Sequence, residues 1–522
     1  MLLVGLGLAA AAWTSPAAGT PGLKTGGTLL VHIPRDDEVD PSTAYSTSSW
    51  AIEYSTALKL LNYPDAPTPR GSRLVPEGAS SFAVSRDGRT YTFKIRKGFR
   101  FSDGTPVRPR NYAYAVNRAM GLRGSPAFGF VDEIVGAQDV RAGRSLQARG
   151  ITTSGDKLVV RLKKADGSFL AKLATPFFQA LPLSLSRTKN VRLVDAAHPL
   201  PSAGPYYVAL SEPARVVVLR RNPFYRGARP HRLSAVRIVM AEDFESGYRE
   251  VKANRADFTH DLPRSAAAEL GREFGLNGRF RVRPTKCINS IAMNTRNPLF
   301  RDNPQLRRAV NYAIDRRGLI ALGGEYSGLP TDQYLPAGFP AFRDIDAYPF
   351  APNLRTARRL AAGHVPAGGP WVYYYSLASP GPERMELVRA ALREIGIEIK
   401  PQGFRGFAVY DAAGKRNSPH AFTTVGLCES FSDPSMLNVF HKTSYLDDPV
   451  FNRRLERAAR LIGVARARAY ESLEHDLVTK AAPWAAWGQP TNQFFFSERV
   501  DQRSFLYQPI YETPPYNVLA LK

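Results

Sequence analysis

The stretch 371-WVYYYSLASPGPERMELVRAALREIGIEIKPQGF-404 decides the fold class. Its two ends, 371–378 and 397–404, are rich in aromatic and β-branched residues and predict strands. Between them, 382–396 carries apolar residues at helical spacing. The buried stripe of this helix is predicted to be Leu387, Val388, Ala391, Leu392 and Ile395. A strand–helix–strand unit predicts two parallel strands joined by a right-handed crossover, and therefore an α/β domain.

An earlier part of the chain shows a different pattern. The Asp87-Gly88 pair is a turn signal, and Tyr91, Phe93 and Ile95 then alternate with polar residues, which predicts a strand. A helix is predicted over 110–120, with Pro109 near its start. Further strands are predicted at 26–34, 157–163, 205–210, 215–221 and 421–427.

Two more segments carry apolar residues at helical spacing. The segment 302–320 predicts one helix, which Asp302 or Asn303 can cap and which has Pro304 in its first turn. The segment 51–63 also has helical spacing, and the prolines that follow it end the helix. Helices and strands therefore alternate along much of the chain.

The length of 522 residues is too great for one hydrophobic core, since single cores stop growing at about 250–300 residues. Two or three lobes are therefore expected. The interior of the sequence contains no apolar run of the length, about 20 residues, that a transmembrane helix needs. We expect no membrane-spanning segment in the body of the protein.

The chain is strongly basic, with 70 Lys and Arg against 46 Asp and Glu, a formal net charge of +24. One explanation is a surface that binds anionic polymers. The other is arginine spread over many solvated faces. The densest clusters, 94–100 and 214–221, are interleaved with apolar residues. This pattern favours the second explanation, and we expect no nucleic-acid partner.

Residues 1–22 have the apolar core and the small residues of a secretory signal peptide, or its remnant. Cleavage after Ala17 or Ala18 fits this pattern, although no Lys or Arg precedes the apolar core. The alternative is a mildly apolar tail. No cysteine follows the apolar stretch, which argues against a lipid anchor. We expect a periplasmic or extracellular protein, in which a disulfide is permissible.

Catalytic and metal-binding motifs are not evident. The sequence contains no H-E-x-x-H, G-x-S-x-G or G-x-x-x-x-G-K-[ST], and no G-x-G-x-x-G after a strand. The two cysteines do not form a C-x-x-C pair, and no histidine is near either of them in sequence. We therefore predict no enzyme, no cofactor and no metal site.

Five segments follow one another along the chain in a recognisable order. They are Val39-Asp40-Pro41, 87-DGRTYTFKIRKGFRFSDGTPV-107, 204-GPYYVALSEPARVVVLRRNPFYRG-227, 292-AMNTRNPLFRDNPQLRRAVNYAIDR-316 and 482-APWAAWGQPTNQ-493. Together, and in register, they resemble the bacterial extracellular solute-binding proteins of family 5, the oligopeptide- and dipeptide-binding components of ABC importers. The resemblance covers nearly the whole chain after the leader.

The resemblance implies a fold, a two-lobed type II periplasmic-binding-protein clamp with a small inserted α+β domain. It implies a discontinuous first lobe of residues 23–63, 196–285 and 489–522. The inserted domain would be 64–195, and the second lobe, an α/β domain, would be 286–488. Because the chain crosses between the lobes twice, ligand binding would be coupled to hinge closure.

The resemblance also places a binding segment at 426-GLCES-430, beyond the end of the predicted strand 421–427. Ligands bind open α/β sheets beyond the carboxyl ends of strands. In the family, the cysteine of this segment is bridged to one at the start of the second lobe. Here the corresponding pair is Cys287 and Cys428; two buried free thiols are the alternative. Gly426 and Cys428 would line the cleft and offer backbone groups to a ligand.

Family members that bind peptides carry an acidic residue two positions after this cysteine, where it pairs with the ligand's terminal ammonium. In this sequence the position is Ser430. Glu429 is one step earlier, and adjacent residues of an extended segment point to opposite faces. Asp433 is a second candidate for the missing acid, although Asp-Pro is equally a turn device.

The opposite wall of the cleft is expected from 42–49, where Tyr45, Ser46 and Thr47 offer hydroxyls and an aromatic ring. Phe128 and Phe130 are near the place where the family contributes an aromatic side chain from the small domain. We select Phe128 as the ligand-binding residue. Core packing or ordinary helix capping is the alternative for each of these residues.

The function that the resemblance implies is an extracytoplasmic receptor that captures a peptide or peptide-like solute and delivers it to the permease subunits of an ABC importer. A monomer is expected. Two rivals are an exported enzyme on the same fold and a basic surface protein that binds anionic polymers. Opines, oligosaccharides and metal chelates are other cargoes of the family.

Overall fold

The computed structural model describes residues 22–33, 38–67, 70–260 and 262–522. The expected signal peptide, residues 1–22, lies outside this part of the chain except for its last residue. The described residues form eighteen strands. They are β1 (Thr28–Ile33), β2 (Leu61–Asn62), β3 (Val75–Pro76), β4 (Ala79–Val84), β5 (Thr90–Ile95), β6 (Ile151–Ser154), β7 (Lys157–Arg161), β8 (Tyr206–Glu212), β9 (Val216–Arg221), β10 (Ala235–Met240), β11 (Phe258–His260), β12 (Phe280–Pro284), β13 (Cys287–Met293), β14 (Gly328–Pro330), β15 (Trp371–Ser376), β16 (Ile399–Phe404), β17 (Phe422–Cys428) and β18 (Trp484–Phe496).

The same residues form fifteen α-helices. They are α1 (Thr47–Thr56), α2 (Pro109–Gly121), α3 (Phe128–Val131), α4 (Ala137–Arg141), α5 (Phe169–Leu173), α6 (Phe244–Lys252), α7 (Arg264–Phe274), α8 (Pro304–Ala313), α9 (Arg316–Ala321), α10 (Leu354–Ala361), α11 (Gly381–Arg393), α12 (Ala408–Gly414), α13 (Met436–Thr443), α14 (Pro449–Arg460) and α15 (Gly463–Asp476). No helix of the described residues is both long enough and apolar enough to cross a bilayer.

A mixed sheet of twelve strands runs through both lobes. Its order is β16-β15-β17-β13-β18-β11-β1-β10-β9-β8, and β12 and β14 also pair with β18. The thirteen-residue strand β18 pairs with β13 in one lobe and with β11 in the other. The two lobes are therefore joined through one continuous strand.

The predicted strand–helix–strand unit is confirmed, because β15 and β16 are parallel and α11 connects them. Strand β17 is also parallel to β15. In the first lobe, β1 is parallel to β10 and to β11. Because the strands within each group point the same way, their carboxyl ends meet at one edge of the sheet in each lobe.

The small domain is built on a four-stranded antiparallel sheet, in the order β4-β5-β7-β6. The predicted turn at Asp87-Gly88 connects β4 to β5, and Gly88 has the positive φ of 67° that such a turn needs. Helix α2 begins at Pro109, where the missing N–H of proline costs nothing. The mixed α+β character of this region agrees with the sequence pattern.

The apolar side chains form separate cores. One contains Phe93, Tyr112 and Leu158 of the small domain and also takes in Tyr54 and Tyr511. A second, in the first lobe, is built on strands β1, β8, β9 and β10. Two more lie in the second lobe, on opposite faces of its sheet, since neighbouring residues of β13 contribute to different ones.

Two helix predictions were wrong in their bounds. The segment 302–320 forms two helices, α8 and α9, because Asp315 lies between them and its side chain accepts a hydrogen bond from Gly318 N, 2.9 Å away. The segment 51–63 is helical only as far as Thr56, and the helix starts earlier, at Thr47. In both places a side-chain cap sets the boundary that apolar spacing does not show.

Candidate functional site: a cleft between the lobes

The cleft is built around the loop that follows β17. Strands β13 and β17 are antiparallel, and their register places Cys287 opposite Cys428. The two residues form a disulfide, which confirms the pairing implied by the resemblance. Residue 287 begins β13 directly after the chain crosses from the first lobe, so the disulfide ties the loop to the hinge region.

Tyr45 and Ser430 meet across the cleft. The Tyr45 hydroxyl and Ser430 Oγ are 2.6 Å apart and hydrogen-bonded, although 385 residues separate them. Tyr45 as a whole residue is 52% exposed, so it is accessible to a ligand. Partial burial raises the pKa of the Tyr45 hydroxyl, which therefore stays neutral at ordinary pH. The structure thus brings together one predicted residue from each wall.

The segment that carries Tyr45 is held by a buried ion pair. Both side chains of the pair are inaccessible to solvent, and Arg118 Nη1 is 2.6 Å from Asp40 Oδ1. The same carboxylate accepts hydrogen bonds from Ser42 N at 2.8 Å and from Val191 N at 2.7 Å. Because the charge of Asp40 is paired and its oxygens are hydrogen-bonded, the turn before Tyr45 is fixed.

Ser46 and Thr47 have different surroundings from Tyr45. Ser46 is the N-cap of α1, and its Oγ accepts a hydrogen bond from Ser49 N at 3.0 Å. Thr47 is the first residue of that helix and lines a polar cavity of about 290 Å³ with His260, Arg264 and Glu512. Ser46 thus has a structural role, whereas Thr47 lines a cavity whose lining does not include Tyr45, Glu429 or Ser430.

An aromatic cluster closes one side of the cleft. The ring of Phe130 lies 5.4 Å from Phe177, 6.5 Å from Tyr45 and 5.8 Å from Phe431, measured between centroids. The predicted Phe128 instead packs below the guanidinium of Arg141, 5.2 Å from its ring centroid. Of the two phenylalanines considered, the structure brings Phe130 to the cleft residues.

Glu429 directly precedes Ser430 in the loop, and its side chain is close enough to Tyr45 for its charge to act on the Tyr45 hydroxyl. Burial raises the pKa of its carboxyl group to about 8, and the charge of Asp433 acts in the same direction. A hydrogen bond from Ser430 N, at 3.0 Å, and the charges of Lys286 and Lys172 act in the opposite direction but are outweighed. An approaching cation would favour the ionised carboxylate.

Asp433 has a buried partner of its own. Its Oδ1 is 2.6 Å from Arg466 Nη2 and its Oδ2 is 3.1 Å from Arg466 Nε, a two-point ion pair. Oδ1 also accepts a hydrogen bond from Ser435 N at 2.9 Å, as expected for an Asp-Pro turn. Both oxygens are thus engaged, and the carboxylate orients the loop.

Gly426 presents backbone groups to the cleft but already has a partner. Its N–H donates to the hydroxyl of Tyr410 at 3.1 Å, and that hydroxyl donates to Gly426 O at 3.4 Å. An added Cβ would lie 3.1 Å from Asn289 Oδ1, so the strand is tightly approached here. Tyr410 is on α12, a short helix in which no sequence pattern predicts a binding residue.

The rings of Phe177 and Phe431 were also missed by sequence reasoning. Phe177 lies in a one-turn helix of the small domain, Pro176–Phe178, and Phe431 is the residue directly after the binding segment. Neither has a spacing that separates a cleft residue from a core residue. Among the described residues, no group of three or more His, Cys, Asp or Glu side chains is arranged to hold a metal ion.

This geometry defines a class of protein, the two-lobed α/β clamp that closes on a solute. The chain belongs to the bacterial extracellular solute-binding proteins, family 5, whose profile matches residues 73–445. That family consists of solute-binding proteins rather than enzymes.

Relatives of known name agree with this assignment. The oligopeptide-binding protein OppA of Bacillus subtilis is 24% identical over 291 residues, which span 54% of this chain and 52% of that protein. The glutathione-binding protein GsiB of Pectobacterium atrosepticum is 21% identical over 505 residues, 92% of this chain and 91% of that one. Among solved structures, the clavulanic acid biosynthesis oligopeptide binding protein 2 has a TM-score of 0.85 at 24% identity and covers 95% of this chain and 96% of its own.

Proposed function

We propose that the protein is the receptor of an ABC importer and captures a peptide or peptide-like solute between its lobes. The observation that carries this proposal is the meeting of Glu429 and Ser430 from one lobe with Tyr45 from the other. The family membership and the names of the relatives, which include oligopeptide- and glutathione-binding proteins, support the choice of solute.

The ligand contacts follow from the chemistry of the cleft. Glu429 pairs with a terminal ammonium group, and the hydroxyls of Tyr45 and Ser430 bind polar groups. The backbone of Gly426 pairs with an extended ligand, as in strand addition, when Tyr410 gives way. Thr47 and the ring of Phe130 complete the site, and we replace Phe128 by Phe130 in this role.

Solute capture drives closure of the lobes. A ligand that contacts both walls binds the closed arrangement more tightly, so its differential affinity shifts the population toward that arrangement. The closed, loaded receptor then delivers the solute to the permease subunits of the importer. We assign the protein no catalytic step and place it, as a monomer, outside the cytoplasmic membrane.

We divide the chain as the resemblance implies, into a first lobe of 23–63, 196–285 and 489–522, a small domain of 64–195 and a second lobe of 286–488. The two cores of the second lobe, which contain only residues between 288 and 487, support its boundaries. Residues 181–194 pack against the core of the first lobe, so the end of the small domain is in contact with that lobe.

The role of Glu429 is tested by calorimetric titration with trialanine at about pH 6.5, where a terminal amine is already charged. Free Glu429 is then largely protonated, since its pKa is raised to about 8. A bound ammonium lowers that pKa, so binding releases close to one proton per ligand. The release is measured by repeating the titration in buffers of different ionisation enthalpy.

Two controls accompany this titration. N-acetyl-trialanine has no ammonium group, and we expect it to bind more than about fivefold more weakly and without proton release. Glu429→Gln should give the same result with trialanine itself, whereas Glu456→Gln, at an exposed position, should behave as wild type. Equal affinity of Glu429→Gln and wild type for trialanine would contradict the proposed role of Glu429.

A further inference from the structure

A second cavity lies on the other side of the binding loop, where the two lobes meet the C-terminal tail. Its volume is about 570 Å³. It is lined by Arg281 and Arg283 of β12, by Phe339 and Ser432 of the second lobe, and by Leu506 and Ile510 of the tail. None of these residues belongs to the proposed solute site.

The two arginines are unusual because neither forms an ion pair with a carboxylate of the described residues. Their guanidinium groups stack on the same ring, that of Phe505, at 4.5 Å and 5.4 Å from its centroid. Arg281 Nη2 donates to Gln502 Oε1 at 3.4 Å, and Arg283 donates to Val282 O at 2.7 Å and Asn277 Oδ1 at 3.4 Å. Among the described residues, the buried Nε of Arg281 has no hydrogen-bond partner.

Burial lowers the pKa of both guanidinium groups, and the charge of Arg283 adds to the effect on Arg281. The cavity lining contains a third cation, Lys286, but its ammonium donates to Ile510 O at 2.7 Å and is paired with Glu512 at 3.5 Å. No acidic residue is among the described residues that line the cavity. An anion between the two arginines would satisfy the open donor and relieve the repulsion between like charges.

The remainder of the lining is largely apolar, with Phe339, Leu506 and Ile510 beside the prolines Pro67 and Pro509. We propose that this cavity is a second ligand site, which takes an amphipathic organic anion. Its carboxylate, sulfonate or phosphate group is bound by Arg281 and Arg283, and its hydrocarbon part lies against Phe339 and Leu506. This site does not depend on the solute proposed for the cleft.

Such a ligand would contact both sides of the hinge. Arg281 and Arg283 belong to β12, immediately before the chain crosses into the second lobe, whereas Phe339 and Ser432 lie beyond the crossing. Ser432 is two residues from Ser430, which is bonded to Tyr45 in the cleft. Because the occupant touches elements of both lobes, its binding is coupled to the solute site.

The test is calorimetric titration of the full chain with octanoate and with 1-octanol, which has the same hydrocarbon chain and no charge. We expect octanoate to bind and 1-octanol to bind at least tenfold more weakly. Arg281→Gln and Arg283→Gln should each weaken octanoate at least tenfold and leave octanol unchanged. Arg272→Gln, at an exposed position of α7, is the matched control and should behave as wild type.

A cleft variant separates this site from the solute site. Octanoate affinity that is unchanged in Glu429→Gln and reduced in the two arginine variants would support the second site. Three results would overturn it: no octanoate binding, equal affinity for octanoate and octanol, or equal loss in Arg272→Gln. Thermal unfolding curves of the arginine variants that match wild type exclude misfolding as the cause of lost binding.

Discussion

At the scale of single residues, Asp433 shows how burial decides a role. The sequence makes its carboxylate a candidate for binding the ligand. In the structure, however, the side chain of Asp433 is only 8% exposed and forms an ion pair with Arg466, whose side chain is 5% exposed. Removing one partner of a buried ion pair leaves the other charge uncompensated. The pair therefore acts on the stability of the loop and through it on the position of Glu429.

We expect Asp433→Asn to lower the free energy of unfolding by about 3 kcal/mol, the cost of stranding a buried guanidinium. The measurement is urea denaturation at neutral pH. The double variant Asp433→Asn with Arg466→Met removes both charges and should recover part of this loss. If Asp433→Asn unfolds like wild type but loses trialanine binding, the carboxylate contacts the ligand instead.

Residue roles in the cleft were only partly predictable. The two-residue offset between Phe128 and Phe130 cannot be resolved from 124-GSPAFGFVDE-133, because both rings follow small residues and nothing local fixes their direction. Tyr45 was identified because the Asp40-Pro41 turn locates its loop. Tyr410 was not, since its contact with Gly426 joins elements sixteen residues apart that share no periodic pattern.

At the scale of elements, strands β13 and β17 carry the most consequential covalent link. The disulfide closes a loop of 141 residues. Cross-linking a loop of this size restricts the unfolded chain and stabilises the fold by up to about 5 kcal/mol. The same link joins the loop that bears Glu429 to the strand that begins the second lobe.

We expect Cys287→Ser with Cys428→Ser to lower the free energy of unfolding by about 2–5 kcal/mol. Denaturant unfolding measures this, and wild type unfolded under reducing conditions is the control, because it lacks the same link. Reduced wild type and the double serine variant should agree. A double serine variant as stable as oxidised wild type would mean that the disulfide contributes nothing.

Helices and strands with a clear residue pattern were predictable from the sequence. Helix ends that depend on a capping side chain were not. The unit 371–404 has two segments rich in aromatic and β-branched residues, with apolar residues at helical spacing between them, and it folds as predicted. The segment 302–320 has apolar residues at helical spacing as far as Ile314, but Asp315 then caps a second helix. Apolar spacing reports which face is buried, whereas a helix boundary depends on single hydrogen bonds.

At the scale of the whole molecule, the lobes share the strand β18 and also touch at several other places. One is the hydrogen bond between Tyr45 and Ser430, and another is the contact of Phe130 with Phe431. The N–H of Gly167 in the small domain also donates to Ala459 O in the second lobe, 2.9 Å away. A substitution that removes one of these contacts should change the distance between the lobes.

An aromatic pair stabilises the arrangement in which its two rings touch by about 0.5–1.5 kcal/mol. Losing the Phe130–Phe431 pair should therefore change the ratio of molecules with the two lobes in contact to molecules with the lobes apart about two- to tenfold. We expect Phe130→Ala to widen the distance distribution between spin labels at the exposed positions Leu146 and Arg457, measured by pulsed electron paramagnetic resonance without ligand. Phe128→Ala is the matched control, because its ring packs against Arg141 within the small domain. Equal distributions for the two variants would show that the Phe130–Phe431 contact does not hold the lobes together.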